Sequence, residues 1–426
     1  MRKVVLLLAL SSVSYQAFSQ CGGAAGSIRQ NPDSSQGCFV ASTATVDGSV
    51  FTDSAAEICG NAKVRGSAQI LGASVIRGNA VINSSGSPST TISNSIVEGN
   101  STVESGAQIL SGSNVKGFAK VMGGAHIQGD SETIGTGPII NGNAVIGPGT
   151  SVANRAKVYD KAILKDNAFV GGEAQVFGNS ILSEYANVSG KAKVYGKAIM
   201  RNGALQDNAQ LFDEAILLDG AIIRNNAKVY GFAHVGWETL VADNAEVYGN
   251  ARVQLDNKVT AGIFGDARVF GQADVSLNSF IAGKAKISGQ SGVQSSIIID
   301  EASVSEKAWV QNATISGNAS VRGYAGVKAG TVTEYAQVYG FAQVQNGSPL
   351  INGYAQVFEN ATVEGDAQII QRAQAYGASV VRGKITEFAQ IFGNATLEAT
   401  GEIRGNTTVH GTAVITDTVY GGDIYQ

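Results

Sequence analysis

A nine-residue phrase recurs through this chain, and its spacing strongly limits the folds that the chain can adopt. The phrase is an alanine, a free position, an aliphatic residue, an aromatic residue, two free positions, a small residue, a free position and a second aliphatic residue. Among the first seven copies most steps are 18 residues, one is 17 and one is 22. The copies begin at Ala156, Ala174, Ala192, Ala209, Ala227, Ala245 and Ala267, and the phrase returns at Ala336, Ala355 and Ala389.

A shorter period of six residues lies inside the phrase. Ala245 and Val247 are followed six residues later by Ala251 and Val253. Residues two apart in a strand point to the same face, so these small and aliphatic side chains are expected to point inward. The intervening Gly249-Asn250 pair tolerates left-handed backbone and marks a corner. Three short strands and three corners in about 18 residues predict an all-β fold, a single-stranded parallel β-solenoid with triangular coils.

The composition agrees with a closely packed, turn-rich repeat. The 426 residues include 54 glycines, and only 15% of the residues are charged. The formal net charge is −4, and no basic cluster follows the first residues, so we expect no nucleic-acid partner. We expect residues 20–40 to form an N-terminal cap and residues 41–426 to form one continuous solenoid, less regular before about residue 150.

The first 19 residues have the pattern of a secretory signal peptide. Arg2 and Lys3 are followed by an apolar run from Val4 to Leu10, and Ala17-Phe18-Ser19 fits a cleavage site before Gln20. This apolar run is too short to span a bilayer, and no longer apolar run occurs elsewhere in the chain. We therefore expect no transmembrane segment. The chain is therefore predicted to be exported to the periplasm, the cell surface or the medium.

Three cysteines lie near the predicted mature N-terminus, at Cys21, Cys38 and Cys59. In an oxidising compartment two of them are expected to pair, as Cys21–Cys38 or alternatively as Cys38–Cys59, and the spacing does not decide between the two. No Cys-x-x-Cys pair occurs, and the sequence predicts no metal site.

Several six-residue segments resemble the hexapeptide-repeat proteins. "VEGNST" from Val97, "VESGAQ" from Val103, "VGGEAQ" from Val170 and "VEGDAQ" from Val363 match that family's pattern in full, and the resemblance covers most of residues 41–420. It implies a left-handed solenoid and, as an alternative function, an acyltransferase with a histidine base. The best candidate for that base is His234.

His234 nevertheless occupies a free position of the six-residue period, where other copies carry Arg252, Asp274 or Gln343. This variability is typical of an outward, solvated residue. Export also separates the protein from cytoplasmic acyl-CoA, so we expect neither catalysis nor a cofactor.

An aromatic residue follows the first aliphatic residue of each phrase and is expected to point outward near one corner, coil after coil. Such a column can stabilise the rod by stacking, and it can also serve as a contact surface. Trp237 is a further binding candidate at a break in the repeat. The column consists of Tyr159, Phe177, Tyr195, Phe212, Tyr230, Tyr248 and Phe270, and later of Tyr339, Phe358, Tyr376 and Phe392.

These features together predict an exported, non-enzymatic structural or adhesive solenoid that presents its aromatic column and loops to partners. The expected partners are a glycan, a cell-surface component or a second copy of the chain. The alternatives are the acyltransferase-like enzyme and a polysaccharide-binding or polysaccharide-active solenoid.

Overall fold

Three parallel β-sheets form a β-solenoid of about 21 turns in the computed structural model, which describes residues 20–426 except 132, 134 and 257–260. The predicted fold class and the coil length of about 18 residues are confirmed. At about 4.8 Å per coil, the rod is about 100 Å long. The predicted signal peptide, residues 1–19, lies outside the described residues. Within the described part of the chain, no helix has the length and apolarity needed to cross a membrane.

One coil shows the arrangement of the three sheets, which we call faces 1, 2 and 3. Its strands are Lys228–Val229 on face 1, His234–Gly236 on face 2 and Leu240–Val241 on face 3. Each strand pairs in parallel with its counterpart one coil later, and Lys228–Val229 lies opposite Glu246–Val247.

The parallel strands of face 1 run from Gln36–Ala41 to Asp423–Tyr425. Its strands in order are Gln36–Ala41, Glu57–Ile58, Val75–Ile76, Ile96–Val97, Asn114–Val115, Ile139–Ile140, Lys157–Val158, Gln175–Val176, Lys193–Val194, Gln210–Leu211, Lys228–Val229, Glu246–Val247, Arg268–Val269, Lys286–Ile287, Ser303–Val304, Ser320–Val321, Gln337–Val338, Gln356–Val357, Gln374–Ala375, Gln390–Ile391, Thr408–His410 and Asp423–Tyr425.

The core is a continuous stack of small and aliphatic side chains. In the coil described above, Ala227, Val229, Ala233 and Val235 are all at most 1% exposed. The alternation inferred from the sequence therefore places these side chains inside the coil. Because each coil covers the core of the next, burial of apolar surface stabilises the rod along its whole length.

The corners depend on left-handed backbone. Gly249 has a φ of 71°, and a Cβ at this position would lie 3.0 Å from the backbone nitrogen of Gly271 in the next coil. Aspartate occupies the equivalent corner position in some coils. Asp213, with a φ of 59°, accepts a hydrogen bond from the backbone N–H of Gly231 at 3.2 Å. Glycine and aspartate thus allow successive corners to stack closely.

Residues 20–35 precede the first parallel strand of face 1. A short turn, Gln20–Gly23, has left-handed backbone at Cys21 and Gly22 and precedes the strand Gly26–Gln30, which pairs antiparallel with Gln36–Ala41. The Arg29 guanidinium donates hydrogen bonds to the backbone carbonyls of Gly48 and Val50. The strand Gly26–Gln30 therefore pairs with the terminal edge of face 1, which would otherwise be open, and a capping role for the segment stays a prediction.

Both disulfide pairings considered from the sequence are wrong. The structure joins Cys21 to Cys59, with their Cα atoms 5.3 Å apart, and leaves Cys38 as a buried free thiol. Cys38 precedes the Phe39–Glu57 pair by one residue and thus points into the core in line with Ala56. Cys59 lies at the corner after its strand, where the N-terminal turn containing Cys21 can reach it.

Candidate functional site

The seven predicted aromatic residues from Tyr159 to Phe270 form a single stack, which we call the aromatic ladder. Successive ring centroids are 4.8 to 5.0 Å apart, and successive ring planes differ by 0 to 4°. Each residue follows the buried aliphatic residue of a face 1 strand, at the corner that leads to face 2. The spacing of the rings follows that of the coils, so every coil adds one rung. The members are Tyr159, Phe177, Tyr195, Phe212, Tyr230, Tyr248 and Phe270.

The ladder exposes ring edges and hydroxyls, because each inner ring has both faces against its neighbours. The Tyr159 hydroxyl lies 3.3 Å from Oε1 of Gln175, and the Tyr195 hydroxyl lies 3.2 Å from Oε1 of Gln210. Burial raises the pKa of Tyr195, and the nearby Asp213 carboxylate adds to the effect. The stacking itself is a structural fact, while a binding role for the ladder stays a prediction.

A second stack occupies the same corner farther along the chain. Tyr339, Phe358, Tyr376 and Phe392 stack at centroid distances of 4.7 to 5.0 Å. His410 continues the stack, with its ring 4.9 Å from that of Phe392.

The His410 side chain is half-buried and has a carboxylate neighbour. Its Nε2 lies 2.9 Å from Oδ1 of Asp423. Register analysis of the sequence could have revealed the stacking, because His410 follows the buried Val409 as Phe392 follows Ile391.

Face 1 of four consecutive coils carries a surface of which the sequence analysis identified only one column, that of Tyr339, Phe358, Tyr376 and Phe392. We call it the aromatic–glutamine panel. Each row has three outward residues spaced two apart, with glutamine in the middle and mostly aromatic residues on both sides. The four rows are Tyr335–Gln337–Tyr339, Tyr354–Gln356–Phe358, Arg372–Gln374–Tyr376 and Phe388–Gln390–Phe392.

The outer edge of the panel is exposed. Tyr335 and Tyr354 stack with centroids 4.9 Å apart and are 49% and 56% exposed. In the next row the guanidinium carbon of Arg372 lies 5.7 Å from the ring centroids of both Tyr354 and Phe388. Arg372 therefore makes a cation–π contact on each side, and it takes the place of one ring in the outer column of Tyr335, Tyr354, Arg372 and Phe388.

The middle column of the panel presents amide groups to solvent. Nε2 of Gln374 donates a hydrogen bond to Oε1 of Gln356 at 3.1 Å, and the Tyr376 hydroxyl lies 3.4 Å from Oε1 of Gln390. The signal in the sequence was the recurrence of "YAQVY", "YAQVF", "RAQAY" and "FAQIF".

The same face is charged where it borders the aromatic ladder. Glu246 lies 3.6 Å from Nζ of Lys228 and 3.5 Å from Nε of Arg268, each in an adjacent coil. Lys157 and Lys193 occupy the equivalent outward position in earlier coils. Face 1 therefore changes along the rod from a charged surface to an aromatic and amide surface.

His234 and Trp237 lie away from both stacks. His234 is exposed on face 2, between Ile216 and Arg252 in the adjacent coils. Among the described residues, the one histidine–carboxylate ion-pair contact is that of His410 with Asp423. Trp237, 53% exposed, lies at the corner between faces 2 and 3 with a φ of 57°. The structure thus joins neither residue to the aromatic ladder.

Cys21, Glu57 and Cys59 form the one cluster of possible metal-ligating atoms among the described residues. The two sulfurs are joined in the disulfide, and Oε2 of Glu57 accepts a hydrogen bond from the backbone N–H of Cys21 at 3.0 Å. These contacts explain the cluster as part of the covalent fastening of the N-terminal segment.

Comparison with known protein families finds no family model that matches this chain, and a search of curated proteins finds none similar in sequence.

Proposed function

We propose that this protein is an exported, non-enzymatic rod that acts as a structural or adhesive element and binds partners along its side. The observation that carries the proposal is the stack of about 21 coils, whose core runs along the rod and whose outward aromatic residues form two stacked columns on parts of it. Contacts between neighbouring coils make such a stack stiff, and each coil repeats similar outward groups. These properties suit a spacer with a repetitive binding surface.

The disulfide supports the export part of this proposal. Cys21 and Cys59 are paired next to the predicted mature N-terminus, and such disulfides persist mainly in oxidising compartments. The pair fastens the covering segment to the first coils, where an opened end would expose strand edges to other chains.

The test is to express the intact chain, fractionate the cells, and determine the N-terminus by mass spectrometry. We expect the protein outside the cytoplasm, beginning at Gln20. Small-angle scattering of the purified protein should then give a particle about 100 Å long. Deletion of the protein should weaken attachment of its host cells to a surface or to each other.

Two results would overturn the proposal. One is cytoplasmic protein with an uncleaved N-terminus. The other is CoA-dependent acyl transfer that is abolished by His234→Ala and retained by His126→Ala, a matched change at an outward histidine on face 3. The second result would support the acyltransferase-like alternative instead.

A further inference from the structure

We propose that the aromatic–glutamine panel binds a single chain of a neutral polysaccharide that lies along the rod axis. This inference rests on the proposed binding function and names its ligand class. The panel comprises the four rows from Tyr335 to Phe392 defined above.

The chemistry of the panel suits a ligand rich in hydroxyl groups. A glutamine amide has two donors and an acceptor oxygen, and a sugar hydroxyl has one donor and an acceptor oxygen. The acceptor oxygens of Gln337, Gln356 and Gln390 each take one hydrogen bond within the protein, so the remaining amide N–H groups are the main sites for sugar oxygens. The column Gln337, Gln356, Gln374 and Gln390 repeats this group once per coil, at about 4.8 Å. A regular polymer along the axis would therefore meet similar groups in each row.

Ring stacking determines which contacts the aromatic residues can make. Tyr335 and Tyr354 are parallel within 5°, so the faces that they turn toward each other are closed to a ligand. Their edges and hydroxyls remain available on a flat, partly apolar surface. Recognition must then depend mainly on hydrogen bonds from amides and hydroxyls, each weak, with affinity growing as more rows are occupied.

Charge favours an uncharged polymer. Of the twelve residues in the panel only Arg372 is charged, and its guanidinium lies between two rings. Of the seven equivalent positions beside the aromatic ladder, two are Gln175 and Gln210 and the other five are charged: Lys157, Lys193, Lys228, Glu246 and Arg268. The panel and the part of face 1 beside the aromatic ladder share a backbone arrangement and differ in charge. The part beside the aromatic ladder therefore serves as an internal control for binding of a neutral polymer.

The size of the panel argues against a folded partner. Five residues span about 13 Å across face 1, and four coils cover about 19 Å along the axis, so the panel measures roughly 250 Å². A stable protein–protein interface needs about 800 Å² on each partner. The panel is too small for a second copy of this chain and is suited to a linear oligosaccharide of a few units.

The experiment uses affinity electrophoresis of the mature chain in gels containing soluble neutral glucans, xylans, mannans or galactans, with alginate as an anionic comparison. We expect at least one neutral polysaccharide to retard the protein. The double variant Gln356→Ala/Gln374→Ala should weaken retardation about tenfold in apparent Kd, because each lost hydrogen bond changes the Kd by roughly two- to tenfold.

The matched control is Gln175→Ala/Gln210→Ala, the same change at the same face beside the aromatic ladder, and it should bind as the unmodified protein does. Tyr354→Phe removes one panel hydroxyl while keeping the stacked ring, and it should weaken binding by a smaller factor. Circular dichroism establishes that all variants are folded. Affinity for oligosaccharides of two to six units should rise with length and then level off.

Three outcomes would overturn the inference: no retardation by any neutral polysaccharide, equal weakening by the panel and control variants, or retardation by alginate alone. A panel variant that changes the sedimentation of the protein without changing glycan binding would likewise overturn it and indicate a second copy as the occupant. None of these outcomes affects export or rod length, so failure here is distinguishable from failure of the proposed function.

Discussion

Removal of the Tyr195 ring tests whether stacking in the aromatic ladder stabilises the rod. The ring lies between Phe177 and Phe212, with centroid distances of 5.0 and 4.8 Å, so Tyr195→Ala removes two stacked contacts. A well-placed aromatic pair contributes about 0.5–1.5 kcal/mol beyond burial, which gives about 1–3 kcal/mol for the two. Tyr159 stacks on Phe177 on one side only, because the equivalent position in the preceding coil holds Asn141, which has no ring. Tyr159→Ala therefore removes one stacked contact. The difference between the two variants, about 0.5–1.5 kcal/mol, isolates one stacked pair.

The appropriate measurement is native-state hydrogen exchange, because the stability of a stacked repeat is largely local. The backbone N–H of Tyr195 donates to the carbonyl of Leu211 in the next coil at 3.0 Å, and it exchanges only when these coils separate. For Tyr195→Ala the loss corresponds to exchange about 5- to 150-fold faster in peptides around residues 192–213. Tyr185→Ala, at a corner position that is 69% exposed, is the control and should change local stability by less than about 0.5 kcal/mol.

The reasoning would be refuted if Tyr195→Ala and Tyr159→Ala accelerated local exchange equally, since the number of stacked neighbours would then not matter. It would also be refuted if neither variant differed from Tyr185→Ala.

Three further predictions concern pH, the free thiol and a corner. Burial raises the pKa of Tyr195 above its ordinary value of 10.0, so the folded state favours the neutral phenol. The contribution of this group to the free energy of unfolding is complete below pH 10 and is lost as the pH rises through the raised pKa. Tyr195→Phe should therefore reduce the fall in the urea unfolding midpoint above pH 10. Cys38 should react with a thiol reagent only after denaturation, one thiol per chain, because it is buried and burial raises its pKa. Gly249→Ala should destabilise its coil by at least about 1–2 kcal/mol in hydrogen exchange, owing to left-handed backbone and the close approach of Gly271, whereas Gly48→Ala should have little effect because open space surrounds that position.

Much of the fold could be predicted because the signals are local. Alternation of Ala227 and Val229 with outward residues determines which side chains are buried, and Gly231 marks the corner that follows. The aromatic ladder could be predicted for the same reason, since its members recur at nearly constant spacing. Handedness is not determined by this alternation, and the left-handed expectation stays a prediction.

The disulfide and the panel illustrate what local patterns leave open. Three cysteines in one sequence allow several pairings, and only the position of the N-terminal turn over the corner at Cys59 selects Cys21 as its partner. The panel residues are harder to align because the steps between their rows vary. Gln356 and Gln374 are 18 residues apart, while Gln374 and Gln390 are 16 apart.

The sequence by itself determined the solenoid, its inward residues and the first aromatic column, because strand alternation and corner backbone depend on residues close together in the chain. Only the tertiary structure decided that the glutamines of the panel, and the residues two positions before them, also lie in line across coils of unequal length. Hydrogen bonds between successive coils set that register, and the differences in coil length are accommodated at the corners. That register aligns Tyr335, Tyr354, Arg372 and Phe388 beside the glutamine column, and thereby creates the surface to which we assign a ligand.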